Sequence, residues 1–93
     1  MKRILILPSF ERSIKRLTSQ EKLRLSKSLE AFNIFLATGQ IHYGFRFKKI
    51  NKDKYEFRVD IRLRVIVKEQ EDIFYLVLAG DHDEIRRYLR NYR

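Results

Sequence analysis

The chain contains no cysteine. Disulfides and thiolate metal sites are therefore excluded, and the composition suits a reducing compartment. Residues 4–8, Ile-Leu-Ile-Leu-Pro, are apolar, but the run is too short for a signal peptide or a membrane span. There is no glycine-rich phosphate loop, no serine or cysteine nucleophile motif and no His-Glu-x-x-His, which sets aside the enzymes built on them. No linker, repeat or low-complexity segment interrupts the chain. These absences predict one soluble, cytoplasmic domain over residues 1–93 with no membrane partner.

What is present is charge. The 93 residues carry 21 Lys and Arg against 12 Asp and Glu, a net charge of +9. Such an excess steers a protein toward polyanions. Nucleic acid comes first, anionic membrane second and an acidic protein third. Hydrophobic residues make up 44% and aromatics 13%, enough to bury a modest core.

Periodicity divides the chain into eight elements. Arg3–Leu7 reads as a short buried strand ended by Pro8. Ser9 is positioned to cap a helix in which Phe10, Ile14 and Leu17 share a face. Thr18-Ser19-Gln20-Glu21 is a capping box. It opens a second helix to about Thr38, with Leu25, Leu29, Phe32 and Leu36 as its stripe and Gly39 as its stop. Its apolar end, residues 31–37, is expected to be well covered. Residues 41–44 read as a loop. Strands follow at Phe45–Ile50, Tyr55–Ile61, Leu63–Glu69 and Ile73–Ala79, the last apolar on both faces and therefore central. Gly80 breaks that strand, and Asp81 with Glu84 caps a final helix whose stripe is Ile85, Tyr88, Leu89 and Tyr92. The expected fold is α+β: an N-terminal strand and a helical hairpin packed on one side of a mostly antiparallel sheet of four to five strands, with a short C-terminal helix.

Within Tyr55–Val67, apolar residues alternate with Glu56, Arg58, Asp60 and Arg62. In a straight strand Arg58, Arg62 and Arg64 would share a face. Such a row has an ordinary reading, a solvated face with weak pairs to Glu56 and Asp60. Against it, Arg46, Lys48, Lys49, Lys52 and Lys54 make the whole preceding hairpin positive, as a phosphate-tracking surface requires. His82, where the central strand meets the last helix, could transfer protons near neutral pH, or could simply bond its own loop or Asp81 or Asp83. Asp81-His82-Asp83-Glu84 is a poor metal site, because consecutive residues point in different directions and His42 is the other imidazole. Tyr88 is either core or a functional tyrosine.

Taken in order, a short strand, a helical hairpin, Tyr55-x-Phe57-Arg58-Val59, Arg64-Val65-Ile66, an apolar strand, Gly80 and a polar helix start resemble the RelE/ParE toxin superfamily over nearly the whole chain. The resemblance implies one of two activities. RelE-like members are messenger-RNA endoribonucleases acting in the ribosomal decoding site; ParE-like members poison DNA gyrase. Both are held inactive by a cognate antitoxin. On the RelE pattern the active surface is the concave sheet face beside the last helix. Arg64, Arg58, His82 and Tyr88 fall at catalytic positions, and Lys54 matches a lysine near the start of the arginine strand. Arg46, Lys48, Lys49, Lys54 and Arg62 would hold phosphates.

The chain departs from the pattern twice. Six positions separate Arg58 from Arg64 where the family more often has five, which suggests a bulge re-aiming Arg62 or Arg64. Glu56 stands where some ribonuclease members have a second lysine.

The implied reaction needs no metal or cofactor. The substrate's ribose 2′-hydroxyl attacks the adjacent phosphate, Arg64 stabilises the developing charge with Arg58 in support, His82 is the general acid, and Tyr88 orients the nucleotide or shares proton transfer. The partners implied are an antitoxin, messenger RNA and the ribosome. The rivals are a gyrase inhibitor, in which His82 and Tyr88 are structural, and a non-catalytic module keeping the fold and charge.

Overall fold

The computed structural model describes residues 3–40 and 45–91. The loop expected at 41–44, with His42 and Tyr43, and Tyr92 of the expected last-helix stripe lie outside the described residues. The elements run β1 (Arg3–Ile6), α1 (Pro8–Ile14), α2 (Ser19–Thr38), β2 (Lys48–Lys49), β3 (Lys54–Arg58), β4 (Arg64–Gln70), β5 (Ile73–Gly80) and α3 (His82–Asn91). They form one five-stranded sheet in the order β1-β5-β4-β3-β2. β1 pairs parallel to β5, and every other pairing is antiparallel. No helix among the described residues is long and apolar enough to cross a membrane.

Local chemistry explains most boundaries. At the start of α2, Thr18 Oγ1 accepts the Glu21 N–H and Glu21 Oε1 accepts the Thr18 N–H, the reciprocal box its sequence announces. Gly39 closes α2 at φ 76°, a left-handed conformation that glycine takes without steric cost. α1 is different from expectation. Leu7 is its N-cap and Pro8 fills the first turn, where a missing N–H costs nothing. Ser9 is thereby free to donate its hydroxyl to the Val77 carbonyl at 2.6 Å, tying α1 to β5. Ser13 does the same from inside the core: its Oγ donates to Phe10 O at 2.7 Å and accepts the Ala79 N–H at 3.0 Å.

The sheet separates two apolar layers. On one face Phe10, Leu25 and Phe32 of the α1–α2 hairpin pack with Phe45, Phe57, Val65, Val67, Phe74 and Leu76. On the other, Ile85 of α3 packs on Ile66 and Val77, with Tyr88 and Leu89 at its margin. Val65 and Val67 alternate with Ile66 along β4, so the two clusters lie on opposite faces. The helices thus cover both faces rather than one. The cause is in β5, whose Ile73–Ala79 run is apolar on both sides and needs cover on both.

Three other expectations change. β1 is an edge strand, with Leu5 and Ile6 45% and 52% exposed, because a buried position requires a neighbour on both sides. Ile34, in the apolar end of α2, is 51% exposed instead of covered. The 45–50 segment is regular only at Lys48–Lys49, since Arg46 turns the chain at φ 52° just before.

Candidate functional site

The hairpin joining β3 to β4 decides the site. Asp60 Oδ1 accepts the N–H groups of Arg62 at 2.9 Å and Leu63 at 2.7 Å, and the Val59 N–H reaches Leu63 O at 2.9 Å. This is an aspartate-centred turn, in which a short carboxylate substitutes for backbone acceptors. The strands therefore end at Arg58 and restart at Arg64, and 59–63 is a loop with Ile61 86% exposed at its tip. Arg58 pairs directly with Arg64 across the ladder.

That register corrects two expectations. Arg62 does not share a face with Arg58 and Arg64; it stands in the loop. The longer separation between Arg58 and Arg64 is turn, not bulge. The irregularity in this sheet lies instead between β4 and β5, where Ile66 pairs with Leu78 and Val67 with Leu76, leaving Val77 extra.

Directly opposed residues project to the same side of a sheet. Lys54 faces Lys68, Glu56 faces Ile66, Arg58 faces Arg64, and Lys48 faces Glu56. All lie on the face that α3 covers, because Ile66 belongs to the α3 cluster. Lysines and arginines thus oppose like charges twice, an arrangement that costs a sheet stability. Glu56, 8% exposed, offsets it by accepting from Arg64 Nη1 at 2.8 Å. Lys54, 5% exposed, donates to Asp53 Oδ1 at 3.2 Å, and that bond holds the Asp53 carboxyl below its usual range.

The Nε–H groups of Arg58 and Arg64 are buried and have no hydrogen-bond partner among the described residues. Buried guanidinium donors are nearly always satisfied. Two orphans on facing residues leave donor capacity unused beside the Arg64–Glu56 pair, and phosphate is an anion that matches the planar guanidinium fork.

The remaining predicted residues divide. Tyr88 is half-buried against the cluster of Ile66, Val77 and Ile85, hence on the arginine face. His82 is exposed at the first position of α3, in a cavity lined by Ile61, Arg62, Asp81 and Asp83. His82 and Arg62 are thus brought together at the loop end of the sheet. Arg46 is exposed before β2. Lys49 pairs with Tyr55 and sits 5.9 Å over its ring, on the hairpin-covered face, so it leaves the group. Lys68 joins the group; its place four residues after Arg64 on one strand is the signal in the sequence that puts it on the same face. Asp81 and Glu84 are engaged in the α3 capping box, at 2.9 and 3.0 Å. Gly80 remains in β5, opposite Arg64, and a Cβ there would lie 3.0 Å from Glu84 Cβ; glycine lets that box fold against the strand. Among the described residues, no group of three or more His, Asp or Glu side chains is placed to hold a metal ion.

Asp60 also carries a pH dependence. Burial pushes its carboxyl up, but the Leu63 and Arg62 N–H bonds and the Arg24 guanidinium at 3.3 Å outweigh this and hold it below its ordinary value. A carboxyl lowered on folding contributes stability fully above its unfolded-state pKa of about 4 and loses it as pH falls through the lower folded value. Asp60→Asn should therefore cost about 1 kcal/mol at pH 6, with the deficit shrinking below about pH 4. Urea unfolding of both proteins at pH 6 and pH 3 measures this; a gap that widens in acid would refute it.

No family model matches the chain, and no curated protein matches it in sequence. Solved structures do match. A metal-bound toxin from Helicobacter pylori superposes with a TM-score of 0.69 at 21% identity, over 91% of this chain and 99% of that one. A chain of the RelB–RelE antitoxin–toxin complex from Methanococcus jannaschii gives 0.68 at 14% identity, over 90% and 96%. The Escherichia coli DinJ–YafQ complex gives 0.68 at 13% identity, over 91% and 98%. At these identities the likeness is one of architecture: this chain has the RelE-like toxin fold.

Proposed function

We propose that this chain is the toxin of a type II toxin–antitoxin system and that it cuts messenger RNA, in the ribosomal decoding site, by attack of the substrate's own 2′-hydroxyl. The observation that carries this reading is the facing pair Arg58 and Arg64 with their orphaned, buried Nε–H groups. The 2′-oxygen bonds to phosphorus, the bond from phosphorus to the 5′-oxygen breaks, and the products are a cyclic phosphate and a free 5′-hydroxyl. Arg64 and Arg58 bind the non-bridging oxygens as charge builds on them. Glu56, held against Arg64, is the carboxylate on this face that can take the 2′-hydroxyl proton. His82 returns a proton to the 5′-oxygen from the start of α3, and Tyr88 orients the nucleotide. Lys48 and Lys68 extend the phosphate track along the strands, while Lys54, buried against Asp53, adds only to the local positive potential.

An antitoxin partner fits the exposed apolar side chains of α2, Leu23 at 59% and Ile34 at 51%, and the +9 charge favours an acidic one. The test is primer-extension mapping of cellular messages after expression. Codon-phased cuts are expected. Intact messages with relaxed or cleaved DNA would assign a gyrase inhibitor instead, and intact messages with unchanged DNA a non-catalytic module.

A further inference from the structure

α3 has a second face that the reaction does not use. Asp83, Arg86, Arg87 and Arg90 line an open cleft on its solvent side, opposite Ile85, Tyr88 and Leu89. All three arginines are exposed, and none makes an ion pair or side-chain hydrogen bond among the described residues. Arginines elsewhere do find acids: Arg16, in the turn after α1, reaches Glu84 at 3.2 Å and Arg24 of α2 reaches Asp60 at 3.3 Å. Arg86 and Arg90 are four residues apart and Arg87 and Arg90 three, spacings at which like charges destabilise a helix. Arg90 gains from the helix dipole in the last turn, but Arg86 and Arg87 lie too early to benefit. Asp83, three and four residues before Arg86 and Arg87, and the helix dipole at Arg90 offset this only in part, so the face keeps an excess of positive charge.

We propose that the Arg86–Arg87–Arg90 face is a second RNA-binding surface, which holds the sugar–phosphate backbone of an RNA strand independently of sequence. The same helix roofs the Arg58–Arg64 face with its apolar side, so the two phosphate-binding surfaces lie on opposite sides of one rigid element. The chemistry favours RNA over the other polyanions. A membrane-surface helix must offer its apolar side to lipid, and here that side is buried under Ile66 and Val77. A protein partner needs an apolar anchor at the centre of the contact, and the cleft lining is entirely charged. A phosphate backbone needs neither. The inference rests on the ribonuclease reading only for the identity of the polyanion.

The test is the salt dependence of binding to a 2′-O-methylated single-stranded RNA, which the proposed chemistry cannot cut. The triple variant Arg86→Gln/Arg87→Gln/Arg90→Gln keeps good helix formers on the surface, and circular dichroism checks its fold. Its plot of log affinity against log salt should be shallower by about 2, from the loss of three contacts at about 0.7 each. The Lys triple variant, which keeps the charge, should hold the wild-type slope. An unchanged slope in the folded Gln variant overturns the proposal. So does a variant that loses binding to vesicles of anionic phospholipid while keeping its RNA affinity. Wild-type protein that binds RNA through this face but cuts no message would leave the inference standing and remove the ribonuclease reading. Cleavage with no change in slope would do the reverse.

Discussion

Arg64→Ala should reduce RNA cleavage by about 10²- to 10³-fold, the usual cost of removing one donor from developing oxyanion charge. Expression of the variant should then no longer arrest growth. The substitution also affects the fold, because Glu56 would lose the guanidinium 2.8 Å away while remaining 8% exposed. An unpaired buried carboxylate is destabilising, so a loss of toxicity alone would be ambiguous. Arg64→Lys separates the two effects. It leaves a cation for Glu56 but removes the planar fork, which a point charge does not replace. The lysine variant should melt close to wild type and still cleave poorly. Near-wild-type cleavage by a folded Arg64→Ala protein would remove Arg64 from the mechanism.

Phe32→Ala should produce the largest loss of stability, about 3–5 kcal/mol. Phe32 is fully buried, with ring centroids 5.1 Å from Phe57, 5.6 Å from Phe47 and Phe74, and 6.2 Å from Phe45. It is the point where α2 meets three separate stretches of the sheet side of the core, so no single neighbour can move in to fill the space. For a domain of this size the loss lowers Tm by more than about 10 °C, a large share of total stability. Thermal unfolding by circular dichroism reads it directly. A shift of a few degrees would mean that the aromatic cluster can close over the cavity. The functional consequence follows through Phe57, whose neighbours Glu56 and Arg58 carry the site on the opposite face of β3.

Much of this was legible in the sequence because it is local. The capping boxes Thr18–Glu21 and Asp81–Glu84 need residues three apart and nothing else. Gly39 at the end of α2 follows from one backbone angle. Alternation placed Arg58 on a strand, and an apolar run unbroken on both faces marked 73–79 as a central strand. The helix periods of α2 and α3 gave the buried residues Leu25, Phe32 and Ile85.

The rest depended on contacts between distant segments. Asp60 looked like one more polar position in a strand, and only its bonds to the next N–H groups reveal a turn. That turn sets the register in which Arg58 meets Arg64 and ejects Arg62. Which face α3 covers is likewise unreadable from α3, whose apolar stripe fits either side of a sheet; the two-sided β5 strand and the prior occupation of one side by α1 and α2 decide it. The sequence by itself determined the elements, their charge and the two arginines. The tertiary structure alone decided that those arginines face each other, half-buried and with their Nε–H groups unsatisfied, on the sheet face that the last helix covers, because register and burial are properties of pairs of segments rather than of any one.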